Sequence, residues 1–278
     1  MPFNRQTLDG SALREDEMRK HPMAVFAAAA LVVLAVAGIA VAAGGNKPVT
    51  VRAGNLEVTV NGGFTPTALS KTKLTPISAT FEGKLKTVDG THPPALKEVV
   101  IEADKNTGID VKGYPTCTAA NLQSQDSKHA KAICGDAILG EGETNVEIQF
   151  PEQNPVPVKS PLILFNGGEK GGVITLFVHA YITVPTPAAI VTTVKVTKIH
   201  NGRYGIKSVA SVPKIAGGSG SVTSFKLKVD KKFNYKGKKA SFISAKCPDG
   251  KLQFHGTATF SDGTRASAEV IRTCTGKG

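Results

Sequence analysis

"VITLFVHAYITV", residues 173–184, decides how this chain folds. Ile174, Leu176, Val178, Ala180, Ile182 and Val184 alternate with Thr175, Phe177, His179, Tyr181 and Thr183. A period of two is strand geometry, with successive side chains on opposite faces of a sheet. The wholly aliphatic set is expected to face a core. The other set is mixed: Phe177 and Tyr181 are either buried too, or line an exposed surface with His179 between them.

Working outward, turn signals recur at Asn61-Gly62, Asp89-Gly90, Asn166-Gly167, Asn201-Gly202, Asp249-Gly250 and Asp262-Gly263. These pairs supply the positive φ angles of tight hairpins. Short apolar or alternating runs lie between them from Val49 to Thr273. Glu is sparse, whereas Val, Thr and Gly, which are common in strands and turns, are plentiful. The expected fold is mainly β: an antiparallel β-sandwich, one large or two abutting, spanning residues 44–278. "PEQNPVPVKSP" (151–161) is the most linker-like stretch, either a sub-boundary or one extended connection.

The one helical stretch is "CTAANLQSQDSKHAKAIC", between Cys117 and Cys134. Four cysteines allow three pairings, and proximity favours Cys117–Cys134 and Cys247–Cys274. A continuous helix would hold the first pair about 25 Å apart, whereas a disulfide needs Cα atoms within about 7 Å. The helix must therefore break near Ser124–Asp126, with Asp126 or Ser127 capping a short segment that stops at Gly135. For the second pair, two tight hairpins would leave the cysteines two strand spacings apart, about 10 Å. The strand before Pro248 must peel away from its neighbours, as at a crossover between sheets.

Residues 23–43, "MAVFAAAALVVLAVAGIAVAA", carry no charge and follow Arg19, Lys20 and His21. As a helix they would be about 31 Å long, enough to span a bilayer, with the remainder of the chain outside. Ala40-Val41-Ala42 fits signal-peptide cleavage, while the length of the run and Glu15-Asp16-Glu17 in the leader (1–22) fit a retained transmembrane anchor. Read from Met18, the chain opens with an ordinary short basic leader, so residues 1–17 read as a misplaced start and the balance tips to cleavage. Either way, the cysteines fall where disulfides persist, secreted or anchored outside the cytoplasmic membrane.

The net charge is +12. Residues 195–278 hold 17 Lys and Arg against Asp230, Asp249, Asp262 and Glu269, so the excess lies in the last third. In "KVDKKFNYKGKKASF" (228–242) lysines interleave with aromatics, a pattern used to hold nucleic acid. However, Phe225, Leu227, Val229, Phe233 and Tyr235 share one strand parity. The aromatics are expected to point inward and the lysines outward, which removes the stacking platform; nucleic acid is not the expected partner. What remains is a basic ridge of Lys226, Lys228, Lys232, Lys236, Lys238, Lys239 and Lys246. It suits anionic cell-envelope polymers, or is a solvated face guarding an edge strand.

Catalytic motifs are scarce. HExxH, a P-loop and Gly-x-Ser-x-Gly are absent, and "FNGGEKGGV" lacks the Lys-Ser/Thr ending of a phosphate cradle and reads as a long hairpin loop. "DKNTGID" (104–110) opens like a calcium loop, but its Gly is one residue early and it has no acid at the twelfth place; a hairpin turn explains it. No cofactor or metal is expected. An extracytoplasmic hydrolase would have to use His179, Tyr181 and the acidic cluster Glu141, Glu143, Glu147 and Glu152.

"GYPTC…KAICGDAILGEG", "LILFNGGEKGG", "HNGRYG" and "AKCPDGKLQFHGTATFSDGT" together resemble an exported, uncharacterised β-rich protein family of high-GC Gram-positive bacteria. The resemblance covers most of the chain after Ala43. It implies an exported protein and carries over no activity and no site residues. The expected function is a non-catalytic surface or envelope binding module.

Overall fold

The computed structural model describes Ala40–Val41 and residues 47–278. Residues 1–39, and with them most of the apolar run, lie outside the described residues. Ala40 and Val41, the near end of that run, pair in parallel with Ala268 and Glu269 and so belong to the folded sheet. No helix among the described residues is long and apolar enough to cross a membrane.

Thirteen strands make the main sheet. The first seven are β1 (Ala40–Val41), β2 (Val49–Ala53), β3 (Leu56–Thr65), β4 (Ser78–Thr87), β5 (Leu96–Asp104), β6 (Ile138–Ile148) and β7 (Val156–Lys170). Then come β8 (Val173–Ile182), β9 (Ala188–Asn201), β10 (Tyr204–Ser211), β11 (Gly220–Val229), β12 (Lys251–Phe260) and β13 (Arg265–Thr273). Their order across the sheet is β1-β13-β12-β5-β10-β9-β8-β7-β6-β11-β4-β3-β2, antiparallel except for the β1–β13 pair. The sheet curls until its ends meet: Val49, Val51, Leu56 and Val58 share one buried cluster with Phe260, Ala266 and Ala268. The fold is thus a sandwich made from one nearly closed sheet.

The linker-like stretch is not a boundary. Residues from Val156 onward are in β7, paired on one side to β6 and on the other to β8, and residues 37–278 form one compact unit. Nor is "FNGGEKGG" a long loop. β7 runs to Lys170 with a bulge between Asn166 and Glu169, and the turn is only Gly171-Gly172, both at positive φ. Two glycines of β6 answer a different need. A Cβ on Gly140 or Gly142 would run into the carbonyl oxygens of Lys228 or Lys226 on β11, so side chains there would force the two strands apart.

The cysteines pair as their spacing suggested, Cys117–Cys134 with Cα atoms 5.7 Å apart and Cys247–Cys274 at 6.1 Å. Helix α1 (Ser127–Cys134) is capped by Asp126, whose carboxylate accepts from the His129 N–H at 2.8 Å. The α-helix stops with Gly135 as its C-cap, as expected, and the chain goes on through a 3-10 turn, Gly135–Ala137. Near Cys247 the chain does leave the main sheet. Ile243–Ala245 joins Thr75–Pro76 and Thr107–Ile109 in a separate three-stranded sheet before β12 begins.

Candidate functional site

β8 shows both faces of the opening stretch buried. Leu176, Ala180 and Ile182 point into the sandwich, while Phe177 and His179 are covered from outside by the disulfide-tied insertion. Leu122, Ala130 and the Cys117–Cys134 bridge pack there against Ile163, Phe165 and Phe177. Asn166, fully buried in the β7 bulge, clamps the insertion: its Nδ2 donates to the Pro115 carbonyl at 2.9 Å, and its own carbonyl accepts from the Cys117 N–H at 2.8 Å. His179 is wholly buried, with Nε2 3.0 Å from the Gln125 carbonyl oxygen and no partner on Nδ1. The Gln125 carbonyl puts the proton of the neutral ring on Nε2, and burial, with no acceptor for a second proton at Nδ1, lowers the pKa.

The hydrolase constellation is therefore not assembled. His179 lies beneath the insertion, not in a cleft, and its row across the sheet runs through Ile163 to Glu141. Glu141 is held by Lys131 at 2.7 Å and Glu143 by Lys159 at 2.7 Å. The Tyr181 amide donates to Ser160 Oγ at 2.8 Å. Sequence reading missed another polar group on the outer face. Glu102, His255 and Glu269 sit side by side on β5, β12 and β13, and Tyr204 donates to Glu269 at 3.2 Å. The histidine stands on the strand between the two glutamates, its Nδ1 3.7 Å from Glu102 Oε2. They form a ladder on an open sheet face.

Asp104, first residue of the calcium-like stretch, is fully buried and committed elsewhere. It accepts from Arg203 Nε at 2.6 Å and from the Gln253 N–H at 3.0 Å. Among the described residues no group of three or more His, Cys, Asp or Glu is arranged to hold a metal ion.

The seven candidate lysines do not make one uninterrupted ridge. Phe225, Leu227 and Val229 do turn inward, and Lys226 and Lys228 outward. Lys226 pairs with Glu82 at 3.0 Å and Lys228 with Asp230 at 2.6 Å, while Glu143 and Glu141 stand opposite them on β6. This part of the face alternates in sign. Lys232 and Lys236 are exposed on the two-stranded hairpin Lys232–Tyr235/Lys238–Ser241, which also holds the backbone of Lys238 and Lys239; Lys246 is half-buried beyond it. Phe233 points inward against Tyr114, with ring centroids 4.3 Å apart, and Tyr235, on the same side of the hairpin, lays its ring against Gly113 while staying 37% exposed.

The feature that stands out lies inside the sheet. A cavity of about 270 Å³ occupies the half of the molecule where the sheet's ends meet. Its cause is readable strand by strand. On one wall the inward rows are Ala103–Phe254–Val270, Ile101–Gly256–Ala268 and Val99–Ala258–Ala266 across β5, β12 and β13. On the other, Val58–Leu85, Val60–Gly83 and Phe64–Ala79 pair across β3 and β4. Alanine and glycine recur at these inward positions. A Cβ on Gly256 would meet only the Ala268 carbonyl oxygen, at 4.0 Å, so this position faces open space.

One end of the chamber is covered by Ile77, Ile109 and Ile243 of the three-stranded sheet and its lead-in. The seam beside it is fastened by Arg272, 1% exposed. From β13 its guanidinium donates to the Gly62 carbonyl and to Asn61 Oδ1 (3.0 Å) on β3, and to the Lys47 carbonyl (3.3 Å). Burial pushes its pKa below the usual value, while the carbonyl oxygens replace part of its hydration.

Comparison with protein-family models, with curated proteins and with solved structures gives no match to this chain.

Proposed function

We propose that this protein is an extracytoplasmic, non-catalytic binding module that holds an apolar, chain-like ligand inside its sheet. The cavity carries the reading. It is walled almost entirely by aliphatic and phenyl groups, and among its polar neighbours Arg272 and Asn61 are hydrogen-bonded to each other. Dry cavities of about 150 Å³ lined by Leu, Ile and Phe accept benzene. At about 270 Å³ this one has room for a hydrocarbon chain on the order of ten carbons. Export is supported by the apolar leader and by two disulfides, which persist in oxidising compartments.

The test is titration with N-phenyl-1-naphthylamine, a dye that brightens in apolar surroundings, followed by displacement with fatty acids of increasing length. Wild type is expected to brighten the dye and to release it to medium-length chains, while Gly256→Leu with Ala268→Leu abolishes both. No brightening by the wild type, or brightening unchanged in the filled variant, overturns the proposal.

A further inference from the structure

The covered end of the chamber carries a second feature on its outside. The loop leading into Thr75–Pro76 presents Lys71, Lys73 and Leu74, and Leu74 is 52% exposed. Backbone hydrogen bonds gather other lysines around it. The Lys71 N–H donates to the Lys277 carbonyl at 3.0 Å, and the Lys246 N–H to the Asn106 carbonyl at 2.9 Å. Leu74 lies against Gly108, on the strand that Ile243–Ala245 pairs with. Four lysines thus lie on the backbone segments next to the loop of an exposed leucine, and Ile109 and Ile243 of the same small sheet line the chamber. Of the acids near them, Asp104 is buried and, like Asp249, is held by Arg203, which leaves Asp110, exposed just beyond Ile109, as one acid against four lysines. The hairpin that runs into Ile243–Ala245 adds a second exposed apolar group, Tyr235, flanked by Lys232 and Lys236.

We infer that this end is a docking face for an anionic lipid surface. Ammonium groups match phosphate headgroups, and an apolar side chain set among them enters the interface below. A soluble anionic polymer would use the lysines and leave Leu74 without a partner. The inference rests on the chamber reading, since a docked cover would let a hydrocarbon ligand pass between bilayer and chamber without crossing water.

The chain contains no tryptophan, so Leu74→Trp places a single reporter at the face. The full chain carrying it is mixed with vesicles of phosphatidylcholine alone, or with about a third phosphatidylglycerol. With the anionic vesicles, emission is expected to shift to the blue and to be quenched by brominated acyl chains. High salt should reverse the effect, and Lys71/Lys73/Lys246/Lys277→Gln should raise the lipid needed by about tenfold or more. Equal emission in both vesicle types, or a response unaffected by the four substitutions, overturns the inference. A response to soluble polyphosphate with none to vesicles also overturns it and makes a polymer the partner. Dye uptake without vesicles is measured on the same samples. Uptake with a silent reporter sinks the docking face alone; a responding reporter without uptake upholds the docking and sinks the chamber.

Discussion

Strands β6 to β8 and strands β3, β4, β12 and β13 belong to one hydrogen-bonded sheet but differ in what stands on their two faces. In β6 to β8 the inner face carries Leu139, Leu164, Leu176 and Ile182, and much of the outer face is buried beneath the disulfide-tied insertion. In the other group the inner face thins to Ala79, Gly256, Ala258, Ala266 and Ala268, and the space they leave is the chamber. Backbone pairing alone evidently does not fill a sandwich. Side-chain volume at inward positions decides whether the interior is a core or a container.

If that contrast is right, truncation should hurt most in the filled half. Phe165→Ala, at a fully buried site under the insertion, is expected to cost about 3–5 kcal/mol in a denaturant titration. A loss under about 1 kcal/mol would mean that the insertion is only loosely seated. Adding a methyl should hurt there as well: Gly142→Ala drives a Cβ into the Lys226 carbonyl and is expected to cost about 3 kcal/mol.

A smaller effect follows from acid. His179 is neutral and buried, with its pKa lowered from 6.5 chiefly by burial, against weaker support from the Gln125 carbonyl and the Asp126 charge. The unfolded chain takes up a proton near pH 6.5 that the folded chain resists. Stability should be full above that pH and fall as the pH drops towards the folded-state value, by about 1.4 kcal/mol for each unit of depression. Thermal melts between pH 7.5 and 5 on wild type and His179→Gln measure it. The same slope in both would remove His179 as the cause.

The smallest effect, and one of opposite sign, belongs to the hollow half, where Gly256→Ala is expected to raise stability by about 0.4–1 kcal/mol. The identical substitution thus separates the two regions, and equal costs at Gly142 and Gly256 would erase the distinction.

Much of the architecture could be read in the chain. Period-two alternation located β8, and the reach of a disulfide required both the break before Asp126 and the departure of the strand before Pro248. Parity set Lys226 and Lys228 outside. The chamber could not be read in this way. Its small residues are spread from Ala79 to Ala268, and parity says which side a residue faces, not which strand faces it across the interior. The cover over His179 was hidden for a related reason: a mixed face is compatible with burial or exposure until a distant segment is seen to land on it. The partial exposure of Tyr235 was hidden because it sits beside the turn of a two-stranded hairpin, where the layer beneath the ribbon narrows to Gly113.

The seam held by Arg272 also bears on the order in which the molecule is made. Its guanidinium meets Gly62, 210 residues earlier in the chain, and Lys47, 225 earlier. Contacts this distant in sequence carry a large loop-closure cost and form late. A chain emerging from its amino end would hold the walls of the chamber as an open trough until β13 arrived, and Arg272 would be the residue that shuts it.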